Sequence, residues 1–263
     1  MKKGFIIFLT HDWLPLVTNL INSVLLFSKY ELEVNCINFE YNFNNSRIKS
    51  KTLQLNLVDF FNITKCKIIA TKQTEFDYAL LLDGDMIVTP DIDKIFDDNE
   101  TRIQECDFPL FTKHSHNCFD RWNHIVSRIS TKPPKMKWVY SNYLFLTKHK
   151  WFLEEIFQIM NNIPDVEHSL YYPVPEESII NALLAKYEVN YDLGYNYLPN
   201  GYKYVINEYL YGDEEGKQEI KKNYEDNGCP VKIYAFHSHD IKDIEYGKLV
   251  IKNICDKFNI IDN

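Results

Sequence analysis

Short, nearly continuous apolar runs alternate along the chain with longer stretches whose apolar residues recur every three to four positions. The first pattern predicts strands buried on both faces, the second amphipathic helices. Residues 4–9 read as a first strand, 16–27 as a helix ending near Lys29, and 33–39 as a second strand. Strand, helix, strand is a βαβ unit, so these strands are expected to be parallel. Residues 41–50 are polar and Asn-rich and read as a loop, 53–61 as a helix or mixed segment, and 64–74 as a helix with Thr64 at its N-cap. Further strands are expected at 78–82, 86–88, 107–112, 138–147 and 232–236, and further helices at 151–160, 176–187 and 243–258. Residues 169–175 form a Tyr/Pro-rich loop, and 113–137 and 191–204 fit neither period. The order predicts an α/β fold: one domain with a mostly parallel, Rossmann-like central sheet flanked by helices.

The most informative stretch runs from Asp77 to Val88. Five apolar residues, Tyr78 to Leu82, end abruptly in Asp83-Gly84-Asp85. Desolvating an unpaired carboxylate is costly, so acids at the end of a buried strand need a metal, cationic partners or a surface turn. Ligands of open α/β sheets bind outside the carboxyl ends of the strands. Hard oxygen donors suit Mg²⁺ or Mn²⁺, and Mg²⁺ commonly sits between one or two carboxylates and substrate phosphates. Gly84 would let the backbone approach such a ligand closely. The bland alternative is a hairpin, because Asp-Gly is a strong turn signal. Against it, the Thr89-Pro90 stop and a new helix entry follow Met86-Ile87-Val88, where a returning strand would continue.

Composition narrows the picture. The 263 residues fit one large α/β domain, and a net charge of -8 argues against nucleic acid as the main partner. The apolar run at the N-terminus is short and is interrupted by His11-Asp12, so a first strand is expected there and not a signal peptide. No apolar run is long enough to span a bilayer. The six cysteines, Cys36, Cys66, Cys106, Cys118, Cys229 and Cys255, contain no CxxC pair and read as reduced thiols of a cytoplasmic protein. The first strand is followed by neither a P-loop nor a GxGxxG fingerprint.

Several stretches together resemble one family. Leu81-Leu82-Asp83-Gly84-Asp85-Met86-Ile87-Val88 is similar to the strand-borne Asp-X-Asp of GT-A fold glycosyltransferases, in particular the glycogenin and galactosyltransferase group of glycosyltransferase family 8. Thr10-His11-Asp12-Trp13 stands where that family has a loop holding base and ribose, with the aromatic one position early. Thr64-Lys65 opens the helix from which a family basic residue approaches the nucleotide sugar. Ser141-Asn142-Tyr143 stands at an Asn-Ser-Gly/Ala-type strand, with Tyr143 in place of a small residue. Glu176-Glu177-Ser178-Ile179-Ile180-Asn181 falls on the Asp-Gln-Asp-X-Leu-Asn helix start. Phe236-His237-Ser238-His239-Asp240-Ile241-Lys242 falls on His-X-X-Gly-X-X-Lys-Pro-Trp, one residue short and without the Gly or the Pro-Trp. The resemblance extends from the first strand to Lys242.

The resemblance implies a nucleotide-binding half at residues 1–112 and an acceptor-binding half at 113–263. It implies a metal, Mn²⁺ or Mg²⁺, on Asp83, Asp85 and either His237 or His239, with His237 favoured because it directly follows a strand. A histidine among oxygens tilts the choice toward Mn²⁺. Thr10, Asp12, Trp13, Lys65, Asp83, Gly84 and Lys242 would bind a UDP-sugar. Glu176 and Glu177 would act as sugar-hydroxyl acceptor and as base, nucleophile or electrostatic stabiliser, although acids at a helix start are also favoured by the dipole. The implied reaction moves glucose or galactose from UDP to a hydroxyl, with retention as the family expectation and inversion through Glu177 as base left open. A carbohydrate, a lipid-linked sugar or a protein could be the acceptor, and a homodimer is allowed. His114-Ser115-His116 reads as loop, and Tyr171, Tyr172 and Trp122 as loop aromatics able to stack on sugars. The rival readings are a sugar-nucleotide pyrophosphorylase, which lacks its Gly-rich phosphate loop here, and a degenerate GT-A binding module.

Overall fold

The computed structural model describes residues 1–56, 60–113, 119–135, 138–171, 175–189, 202–204, 225–226, 229–230, 233–235, 255–256 and 259–260. In chain order, β1 (Lys3–Leu9) leads through a 3₁₀ turn at His11–Trp13 into α1 (Leu14–Phe27), β2 (Glu31–Ile37) and β3 (Ile48–Leu53). Then come α2 (Phe60–Gln73), β4 (Tyr78–Leu82), β5 (Met86–Val88), α3 (Lys94–Asp97) and α4 (Glu100–Glu105). They are followed by β6 (Leu110–Lys113), α5 (Phe119–Ile129), β7 (Val139–Leu146), α6 (Lys150–Asn162), a 3₁₀ turn at Asp165–Tyr171 and α7 (Pro175–Lys186). The last described strands are β8 (Tyr202–Tyr204), β9 (Glu225–Asp226), β10 (Cys229–Pro230) and β11 (Ile233–Ala235).

The main sheet has the order β3-β2-β1-β4-β7-β6. β1 pairs in parallel with β2 on one side and β4 on the other, while β7 runs antiparallel to both β4 and β6. The sheet therefore reverses its direction of growth between β1 and β4, and the carboxyl ends of those two strands flank the switch point where α/β sheets bind ligands. Side chains alternate across the sheet. Phe5, Ile7 and Leu9 of β1 and Tyr78, Leu80 and Leu82 of β4 pack with α1 in one core layer. Ile6 of β1 and Ala79 and Leu81 of β4 pack with α2, α6 and α7 in the other. On this second face Gly4 makes room for Phe76, which is 2% exposed: a Cβ on Gly4 would lie 2.3 Å from the Phe76 ring.

Several expectations shift. β3 occupies part of the stretch read as a loop at 41–50 and extends to Leu53. It is an edge strand, and its lysines are typical of edges. Lys51 also pairs with the buried Glu33 of β2 at 2.7 Å, which ties β3 to the sheet. α2 begins at Phe60, so Thr64 sits a turn inside the helix, its hydroxyl donating to the Phe61 carbonyl at 2.9 Å, and is not the cap. α5 lies within the unassigned stretch 113–137, and a 3₁₀ turn covers much of the stretch preceding α7. Most of the helix expected at 243–258 lies outside the described residues. Cys36, Cys66, Cys106 and Cys255 are free thiols, as expected. Among the described residues no helix is long and apolar enough to cross a membrane.

Replacing Gly4 with Ala is expected to cost about 1–3 kcal/mol through overpacking against Phe76. Urea denaturation measures this, and an unchanged midpoint would mean that the ring moves aside without strain.

Candidate active site

The strand's alternation continues past the end of β4, so Asp83 and Gly84 face different ways. Asp83 follows Ala79 and Leu81 onto the α2 and α7 face, while Gly84 falls on the α1 face. There a Cβ would lie 2.6 Å from Val17 Cγ2 and 3.7 Å from Trp13 Cε3. The glycine is thus explained by the close approach of α1, a packing reason absent from the sequence reading. The turn does not make a hairpin. β5 leaves the main sheet and pairs antiparallel with β11, which also pairs with β8 in a small second sheet.

Asp83 meets Lys67 of α2, whose ammonium lies 2.8 Å from Asp83 Oδ1 and 2.7 Å from Glu176 Oε1 at the start of α7. Lys67 Nζ also donates to Ser141 Oγ at 2.9 Å, and Ser141 Oγ donates to Glu176 Oε1 at 2.9 Å. Ser141 is placed here because β7 is antiparallel, so that its first residues lie beside the end of β4. Burial alone would depress the Lys67 ammonium, but the Asp83 and Glu176 carboxylates outweigh it and hold it above the ordinary lysine range. Glu176 is 4% exposed, and its Oε2 is buried without a hydrogen-bond partner among the described residues.

The next acid has different company. Glu177 Oε1 accepts from the indole Nε1 of the fully buried Trp138 at 2.5 Å. Burial pushes the Glu177 carboxyl up to about 8; the Trp138 bond opposes this and the neighbouring Glu176 charge adds to it. Asn181, one turn along α7, accepts from Val139 N at 2.9 Å and donates to Val139 O and Glu177 O, each at 2.8 Å. This clasp fixes the start of α7 against β7.

Across the switch point, Thr10, Asp12 and Trp13 form the exit of β1. Trp13 N donates to Thr10 O at 3.0 Å, Asp12 is exposed and Trp13 is half-buried beside Gly84. The structure thus brings Thr10, Asp12, Trp13, Asp83, Gly84, Asp85, Glu176 and Glu177 to one end of the sheet. Lys65 points elsewhere, its ammonium 5.3 Å from the Phe61 ring centre. The lysine at the acids is Lys67, which sequence reasoning missed. Its signal was its place on the buried stripe of α2 formed with Cys66, Ala70 and Thr71. Tyr171 is 3% exposed and packs edge-on against Phe61, so it serves the core and not a sugar-stacking surface. His237, His239, Lys242, His114, His116, Tyr172 and the side chain of Trp122 lie outside the described residues.

The donor set suits a divalent cation. Asp83 and Glu176 oppose a single ammonium, an excess of negative charge before Asp85 is counted. Among the described residues no three His, Cys, Asp or Glu side chains form a complete metal site. Two carboxylates are nonetheless what a cation sharing its coordination with a diphosphate uses.

This topology, with the acid pair between a main-sheet strand and a small second sheet, is that of the GT-A glycosyltransferase fold. Among solved structures, the chain is similar to galactosyltransferase LgtC in complex with donor and acceptor sugar analogues, with a TM-score of 0.62 and 11% identity over 99% of this chain and 98% of that one. It is similar to an active-site Gln-to-Glu mutant of LgtC with a TM-score of 0.60 and 10% identity over the same shares. Glycosyltransferase GlyE of Streptococcus pneumoniae TIGR4 aligns with a TM-score of 0.50 and 14% identity over 98% of this chain and 64% of that one. No protein-family model matches the sequence, and no curated protein matches it.

Replacing Lys67 with Met would leave Asp83 and Glu176 without their ammonium and is expected to cost about 3–5 kcal/mol at neutral pH. Urea denaturation of both proteins checks this; an unchanged midpoint would mean that the pairing adds nothing to stability.

Proposed function

We propose that the chain is a metal-dependent glycosyltransferase that moves a hexose, glucose or galactose, from a UDP-sugar to an acceptor hydroxyl with retention. One observation carries the reading. At the switch point of a GT-A fold, a buried carboxylate oxygen of Glu176, without a hydrogen-bond partner among the described residues, stands one lysine away from Asp83. A buried acceptor without a partner is costly in a finished core, and a sugar hydroxyl is the kind of donor that would satisfy it.

In this reading Asp83 and Asp85 hold Mn²⁺ or Mg²⁺, with His237 as the expected third ligand. An ion held there would supply positive charge toward a departing diphosphate. The exit of β1 receives the nucleotide: Asp12 offers a carboxylate to ribose, and Trp13 and Thr10 wall the base. Lys67 pairs with Asp83 and Glu176 and holds them in register, and Lys242 is expected at the diphosphate. Glu176 accepts a hydroxyl of the donor sugar and orients its ring, a positioning effect. The carboxylate charge around Lys67 also favours the oxocarbenium-like centre that forms at the sugar carbon. The acceptor is a carbohydrate, lipid-linked sugar or protein hydroxyl bound by the half after residue 112. The missing Gly and Pro-Trp around Lys242 are the one feature that favours a degenerate module, and the chain lacks the Gly-rich phosphate loop that a pyrophosphorylase would need after the first strand.

Calorimetric titration of UDP is expected to show Mn²⁺-dependent binding that weakens at least about tenfold in an Asp85→Ala variant. UDP binding indifferent to metal, or unchanged in the variant, would remove the acid pair from the donor site.

A further inference from the structure

We propose that Glu177 works as a neutral carboxylic acid whose hydroxyl donates a hydrogen bond to the donor sugar, with Trp138 as the positioning residue that holds it in place. The inference rests on the sugar-transfer reading and deepens it: adjacent acids would read the sugar as an acceptor, Glu176, and a donor, Glu177.

The geometry separates the two residues. Glu176 has a cation and Glu177 has none: among the described residues no Lys or Arg lies within ion-pair distance of it, and the nearby Lys67 is committed to Asp83 and Glu176. Glu177 is 8% exposed, too buried to be stabilised by water as an anion. An indole N–H can only donate, so Oε1 is an acceptor and the proton belongs on the remaining oxygen.

The charges around it agree. Glu176 on α7 and Asp83 after β4 oppose ionisation, while Lys67 on α2 and the bond from Trp138, just before β7, favour it, and burial outweighs both, leaving the group near 8. The amino end of α7 also favours an anion. From α5, His124 is engaged with Leu170 O and Arg128 with Glu167, while the side chains of Asp120 and Arg121 are outside the described residues. From the 3₁₀ turn at Asp165–Tyr171, His168 stacks on Phe61. A carboxylic acid kept neutral by its surroundings donates a hydrogen bond that a carboxylate cannot. A nucleophile or general base, in contrast, must be ionised to act.

The sign of the pH dependence follows. The folded value, about 8, lies above the ordinary 4.5 of the group. Its contribution to stability is complete below the ordinary value and is lost as pH rises through the folded one. Two substitutions separate donor from anion: Glu177→Gln keeps a donor and cannot ionise, and Glu177→Met has neither property.

The experiment measures urea unfolding and turnover of UDP-glucose and UDP-galactose between about pH 5 and 9. Wild type is expected to lose stability and turnover toward the alkaline end, and Glu177→Gln to lose both dependences. At neutral pH the Gln variant is expected within about tenfold of wild-type kcat and the Met variant at least about a hundredfold below it. Trp138→Phe removes a bond that favours the anion and is expected to move the alkaline midpoint upward, which a merely structural tryptophan would not do. A Gln variant as deficient as the Met variant, with UDP still bound, would overturn the proposal in favour of an ionised nucleophile or base. So would equal pH dependence of unfolding in wild type and the Gln variant. If wild type neither binds UDP nor turns over either sugar, the transfer reading fails and the hydroxyl's role with it, while the unfolding comparison still reads the proton.

Discussion

A single buried ammonium holds the site together. Lys67 lies between Asp83 at the end of β4 and Glu176 at the start of α7, and it joins three elements distant in sequence. Without a cation, two carboxylates could not both be desolvated and ionised at this distance. The pairing also explains why β4 can be apolar throughout and still end in a half-buried acid. Ion pairs of this kind add little to stability compared with apolar packing. Their value here is geometric: the lysine fixes where the two carboxyl groups stand relative to each other.

Strand parity does the rest of the placing. Because β4 alternates, Asp83 inherits the α2 face from Leu81, and Gly84 inherits the α1 face, where Val17 leaves no room for a side chain. Because β7 runs against β4, its beginning, not its end, lies beside the acids, and so Ser141 within it and Trp138 just before it reach Glu176 and Glu177. A shift of one residue in either strand would exchange the faces and dissolve the cluster.

These parities mark what the sequence discloses and what it withholds. The apolar run, its terminal acids and the short strand after them were legible because burial and a strand end leave a local signature. The exit of β1 was legible through its position after the first strand. β3 was not, because an edge strand carries polar residues on a ladder that only one neighbour completes. The family-like position pointed to Lys65, while the lysine at the acids is Lys67. Two helical residues apart is about 200°, so one lysine faces the Phe61 ring and the other the acids. The stripe of Cys66, Ala70 and Thr71 pointed to Lys67, and a lysine on a buried stripe implies a partner.

The same helical geometry divides the two acids of α7. Consecutive residues at a helix start diverge by about 100°, so Glu176 turns toward α2 and its lysine while Glu177 turns toward β7 and an indole. Identical side chains thereby acquire different chemistry from their neighbours alone. Pro175 at the first helical position starts the turn without needing a hydrogen-bond partner for its nitrogen, and the Asn181 clasp keeps the helix from rotating against β7. Rotating α7 by a fraction of a turn would bring Glu177 toward Lys67 and leave Glu176 without its cation. The clasp is therefore as much a part of the site's electrostatics as the charged groups themselves.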